Sequence, residues 1–172
     1  MRITIPRVML AVAVILTAFV LQESVLSRIG LPGATPDLLL VVVLVLAMAA
    51  GPTSGAVMGF AAGVLIDVAP PAAGSIGQTA AIYAIAGFVA GHVPLDPGRP
   101  DLTSVGTICG LAAAVFIASA LLGWLLGSPE ITWSAVPWLL VTQVFYAGVL
   151  ALAVVPALGV LYRGAVDEGR LV

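Results

Sequence analysis

PDLLLVVVLVLAMAAGPTSGAVMGFAAGVLID, residues 36–67, sets the class of this chain: a Pro-Asp start, an unbroken apolar run, a GPTS break, and a second apolar run that ends on a carboxylate. Runs of this kind form helices where the surroundings offer the backbone no water. The rest of the chain repeats the pattern. Of its 172 residues, 62% are hydrophobic and 8% charged, with a mean hydropathy of +1.23, whereas a soluble domain carries about a quarter charged residues. Brief Pro, Gly and Asp punctuation separates apolar runs from end to end. We therefore expect one all-α polytopic membrane domain over residues 1–172.

Apolar runs bounded by breakers or charges place spans near 8–26, 37–50, 55–69, 75–93, 102–126 and 135–161. The second run reaches only about 20 Å at roughly 1.5 Å per residue, short of a hydrocarbon core of roughly 30 Å. One bent helix in place of the second and third spans is the alternative. Charge chooses between them, because cytoplasmic loops hold the excess of basic residues, and the chain has Arg but no Lys. Six spans put Arg2, Arg7, Arg99, Arg163 and Arg170 inside with both termini, leaving Arg28 outside. Five spans reverse that bias. Six are expected, with Gly51 to Ser54 as a tight cytoplasmic turn. The run from Val8 to Leu21 lacks a small-residue cleavage pattern after it and is read as a retained first helix. Trp124, Trp133 and Trp138 then fall at the outer boundary, where indole rings prefer to sit, and GSPEITWSA between the last two spans becomes an interfacial anchor.

Several function classes drop out. A net charge of −2 with no basic run gives nucleic acid nothing to grip. Cys109 is the only cysteine and His92 the only histidine, so no intramolecular disulfide and no Cys or His metal cluster is available. No phosphate-binding Gly-rich loop is present. His92 falls at the cytoplasmic end and Asp67 and Glu23 at the outer end, so they do not form one site. We expect no cofactor, no metal and no enzyme activity.

In lipid, small residues that let backbones approach supply much of the association between helices. Gly55, Gly59 and Gly63 line one face of the third span and lead to Asp67. That face is expected to pack against a partner helix or against neighbouring helices. Gly87 and Gly91 in the fourth span, and Gly106, Gly110, Ala114 and Ala118 in the fifth, are read as packing within the protein. Glu23, Asp37 and Asp67 come at outer helix ends and form an expected outer-face polar cluster with Arg28 nearby. Asp37 reads as a helix cap, and Glu23 as an interfacial carboxylate. For Asp67, an interfacial group and one fixed by its Gly-lined face stand level.

From Ala34 to Gly91 the order of these features resembles the MreD family of bacterial rod-shape proteins. Pro36 and Asp37 open an aliphatic helix, Gly59, Phe60, Gly63 and Asp67 follow a G-F-x-x-G-L-x-x-D core with Val64 at the Leu position, and Gly74, Gly77 and Tyr83 complete the pattern. Gln22 and Glu23 supply the polar end of the first helix, while the last two helices carry little that is diagnostic. The resemblance implies a non-catalytic scaffold that binds MreC and links MreB filaments to lateral peptidoglycan synthesis. It also implies a fold similar to the substrate-binding subunits of energy-coupling-factor transporters. That similarity supplies the alternative function, a vitamin- or small-molecule-binding transporter subunit.

Overall fold

The computed structural model describes residues 5–28, 30, 32–69, 77–95, 101–126 and 133–168, with side chains described between residues 8 and 159 apart from position 27. The described residues are helical, with no strand among them: α1 (Ile5–Ser24), a short 3-10 turn (Leu26–Arg28), α2 (Leu38–Ala50), α3 (Pro52–Val68), α4 (Gln78–Ala90), α5 (Leu102–Leu125) and α6 (Val136–Glu168). Arg2, Gly74, Asp96, Arg99, Arg170 and most of GSPEITWSA lie outside the described residues, as do the side chains of Arg7 and Arg163.

At the centre is α2. Its residues from Leu39 to Met48 are buried, and Leu39, Leu40, Val41, Val43, Leu44, Val45 and Leu46 are each at 0 or 1% exposure. A helix apolar on every face has to be surrounded, and α2 packs against α1, α3, α4, α5 and α6. Its shortness follows from this position. Shielded by its neighbours, the 13-residue helix is not itself obliged to match the thickness of a bilayer. The outer faces of the surrounding helices are apolar and open, with Met9, Phe60, Ile85, Leu125, Trp138 and Phe145 all at least 55% exposed. Large apolar side chains exposed in this number mark contact with lipid or other proteins.

By length and composition, two helices are able to cross a membrane, Leu102–Leu125 and Val136–Gly159. The other apolar segments, Val8–Ser24, Leu38–Ala50, Pro52–Val68 and Gln78–Ala90, are shorter. The expected span at 75–93 is thus a 13-residue helix. In the opposite sense, α6 runs 33 residues and carries Pro156 within it.

The turn between α2 and α3 is tighter than expected. Pro52 begins α3, so the Gly51–Ser54 turn contracts to Gly51 alone, at φ 93°. Proline at the first helical position loses no hydrogen bond, because that N–H has no partner inside a helix. Glycine is the residue that takes positive φ without a Cβ clash. The two devices together reverse the chain in one residue.

Successive helices run in opposite directions, giving the bundle two ends. Gly63 meets Ala80 while Gly91 meets Pro52, so α3 and α4 are antiparallel. Gln22 bonds Leu39, Gln78 bonds Ser119, and Ala34 bonds Thr142. One end therefore gathers the finish of α1, α3 and α5 with the start of α2, α4 and α6. We call it the Asp37 end.

Candidate functional site

The Asp37 end is built on helix starts that need acceptors. At α2, the Asp37 carboxylate accepts from the Leu40 N–H at 3.0 Å, and the Gln22 side-chain oxygen accepts from the Leu39 N–H at 2.8 Å. From α4 the Tyr83 hydroxyl donates to the same carboxylate. Asp37 is the cap that its position after Pro36 predicts, but its second oxygen is committed to Tyr83, two helices away.

At α4 the cap comes from elsewhere. Gly77 precedes the helix in a left-handed conformation and has no side chain to offer. Asp67, at the end of α3, supplies the acceptors: Oδ2 takes the N–H groups of Gly77 at 2.9 Å and Ala80 at 3.1 Å, and Oδ1 takes that of Thr79 at 3.3 Å. A carboxylate here satisfies donors the helix cannot and meets the positive end of its dipole. The Gly-lined face of α3 is what brings it there. A Cβ on Gly55 would lie 2.3 Å from the Gly87 oxygen, on Gly59 2.1 Å from the Tyr83 oxygen, and on Gly63 2.4 Å from the Ala80 Cα. The stripe is filled by α4 of the same chain.

The outer-face trio is accordingly distributed over different tasks. Asp37 holds the start of α2 and Asp67 that of α4, and Glu23 is exposed at the end of α1 next to Gln22. The expected packing role of the α5 stripe needs correction. A Cβ placed on Gly106 or Gly110 would have nothing within 4 Å, and Ala114 is exposed. Gly106, Gly110 and Ala114 face away from the bundle while Ala118 packs against its core, and α5 packs on α6 through Cys109, whose Sγ lies 3.3 Å from a Cβ placed on Gly148. Gly87 and Gly91 do pack internally, against Gly55 and Pro52.

The segment before α2 is pinned to α6. The Thr142 hydroxyl accepts from the Ala34 N–H at 3.0 Å and donates back to its own helix, and the Tyr146 hydroxyl donates to the Pro32 oxygen at 3.0 Å. Between these fastenings lies a cleft of about 430 Å³, with Gln22, Asp37, Thr79, Tyr83, Ser119 and Gln143 as its polar lining. Val115, Phe116 and Leu139 form its apolar walls. At the opposite end, a smaller cavity of about 290 Å³ is lined by apolar groups such as Leu46, Met48 and Leu158.

Thr142 and Gln143 are the site residues missed in the sequence. The signal was present as an adjacent polar pair within the last apolar run. His92 is exposed at the other end, beside the Phe88 ring. No cluster of metal-binding side chains occurs among the described residues.

No family model, curated protein or solved structure matches the chain.

Proposed function

We propose that the chain is a non-catalytic scaffold of the MreD kind, crossing a bacterial inner membrane six times, binding MreC and helping couple MreB filaments to lateral peptidoglycan synthesis. The observation that carries this reading is how the motif residues interlock. Asp37 bonds Tyr83, Gly59 lies against the Tyr83 backbone, and Asp67 caps the helix that Tyr83 occupies. Four of the residues that carry the family resemblance, Asp37, Gly59, Asp67 and Tyr83, thus act on one another. An ordered polar knot of this kind suits a protein whose task is to hold a shape.

Six crossings draw support from the alternating helix directions, from the exposed apolar outer faces and from the Arg distribution. Trp124 and Trp133 stack edge to face at 5.9 Å near the Asp37 end, as an interfacial belt would require. The topology is tested by cysteine labelling in a Cys109→Ala background. A cysteine at exposed Thr35 is expected to react with a membrane-impermeant thiol reagent in intact spheroplasts, and one at exposed Pro94 only after permeabilisation. Labelling of both from one side overturns the six-span arrangement.

Partner binding belongs to a face that the bundle leaves open. Gly106, Gly110 and Ala114 present such a face on α5, and small residues at this spacing admit a second helix closely. Gly110→Leu is expected to leave the fold intact and to reduce MreC copurification about tenfold, since a blocked close approach costs on the order of 1–2 kcal/mol. Full retention of MreC moves the contact elsewhere. The polar cleft favours the second reading, a vitamin- or small-molecule-binding transporter subunit. That reading requires an ATP-binding cassette module in the purified complex, and MreC without such a module rejects it.

A further inference from the structure

The larger polar side chains at the Asp37 end are mostly committed. Gln22, Asp37, Asp67, Gln78, Tyr83 and Thr142 each hold a hydrogen bond to a neighbouring element. Gln143 is different. It is only 7% exposed, it lines the cleft, and it makes no hydrogen bond among the described residues. No polar atom fully enclosed in the described structure lacks a partner, so the Gln143 amide keeps its remaining access through the cleft. An amide carries two N–H donors and an acceptor oxygen, which a molecule seated in the cleft is placed to meet. A nine-tenths buried amide aimed into a cleft of this size asks for an occupant.

We infer that the cleft binds a small uncharged molecule that presents a hydrogen-bond donor and acceptor side by side on an apolar ring, a lactam or cyclic amide, with Gln143 as the anchoring residue. The donor–acceptor pair matches the amide of Gln143 in a two-bond, edge-to-edge arrangement. The Ser119 and Thr79 side chains line the same space, and Phe116 and Val115 provide an apolar wall for a ring. Charge settles the rest. Asp37 lines the cleft with no Lys or Arg beside it, so an anion is repelled. The Asp37 carboxylate already accepts from Leu40 on one oxygen and from Tyr83 on the other, which leaves it little capacity to bind a cation. The volume of about 430 Å³ falls within the ordinary range of small-molecule sites, roughly 300–1,000 Å³. This assignment stands whether the chain acts as a scaffold or in transport, because it concerns the cleft and not the partner.

The test uses the full chain purified in detergent and 2-quinolone, an uncharged bicyclic lactam, as the probe. Saturable binding is expected with a Kd below about 1 mM, the range of a small fragment in a partly buried pocket. Gln143→Leu and the near-isosteric Gln143→Met are expected to weaken it about tenfold, the equivalent of the hydrogen bonds lost. Benzoate, an anion of comparable ring size, is expected to show no saturable binding at the same concentrations. Circular dichroism and gel filtration establish that at least one variant keeps the fold. Absence of saturable quinolone binding by the natural chain overturns the assignment, as does equal binding by a folded Gln143 variant, which would mark partition into detergent or a water-filled cleft. MreC copurification is read separately, so failure of the scaffold reading and failure of this one are distinguishable.

Discussion

Gly59→Leu is expected to dismantle the contact between α3 and α4 and to lower stability by about 3 kcal/mol or more, the upper part of the range for overpacking. The reason is what the added atoms meet. A Cβ at this position would lie 2.1 Å from the Tyr83 oxygen and 2.7 Å from the Tyr83 carbonyl carbon, and neither is the movable tip of a side chain. The helices would have to separate, taking with them the Tyr83 hydroxyl that donates to Asp37 and the Asp67 carboxylate that holds the start of α4. Gly106→Leu on α5 is the matched control, because nothing lies within 4 Å of its Cβ position. Surface changes without such contacts stay within about 0.5 kcal/mol. Thermal unfolding of the two variants in the same detergent checks the contrast. A Gly59→Leu protein that melts with the natural chain would mean that α3 and α4 do not approach as described. The comparison also fixes what a partner assay measures, since a variant at Gly59 reports on the bundle and only one on the open α5 face reports on docking.

Much of the architecture is legible in the sequence where local chemistry has one reading. Pro36 and Asp37 mark the start of α2 because a carboxylate there has a backbone donor to accept, and the structure supplies it in Leu40. Gly51 and Pro52 mark the reversal, though the extent of the turn depended on Pro52 being the first residue of a helix and not the last of a loop. Other features have no local signature. The four-residue spacing of small side chains predicts a smooth face without saying what it meets, so Gly59 and Gly110 look alike in the sequence and differ completely in surroundings. The burial of α2 is hidden for a related reason. An apolar stretch is compatible with lipid and with protein alike, and only the contacts with five other helices show that Leu44 and Leu46 face protein on every side. Span length carries the same ambiguity, since a short apolar run reads as a thin crossing until its position at the centre of the bundle is known. At the candidate site, Asp37 and Asp67 stood out as charges in an apolar chain, whereas Gln143 gained meaning only when its burial and its place in the cleft were seen together.

Asp67 carries the second large effect. Asp67→Ala removes the acceptors for three backbone N–H groups, those of Gly77, Thr79 and Ala80, and Gly77 has no capping side chain to replace them. Loss of an N-terminal cap costs about 0.5–2 kcal/mol, and hydrogen bonds to a charged group are worth about 1.5–3 kcal/mol. A destabilisation of about 2 kcal/mol is expected, concentrated in the first turn of α4. Asp67→Asn separates charge from hydrogen bonding. Its amide oxygen can still accept, but its NH2 group faces donors where Oδ1 or Oδ2 accepted before, and the attraction to the helix dipole, about 0.3–1 kcal/mol, is lost. Asn should therefore recover only part of the stability. Hydrogen exchange distinguishes this role from that of a carboxylate resting at the interface. If Asp67 caps α4, the amides of Gly77, Thr79 and Ala80 exchange faster in Asp67→Ala while those in the middle of α3 change little. A merely interfacial carboxylate would leave all of these rates alone, and that outcome would remove the link between the Gly-lined face of α3 and the charge at its end.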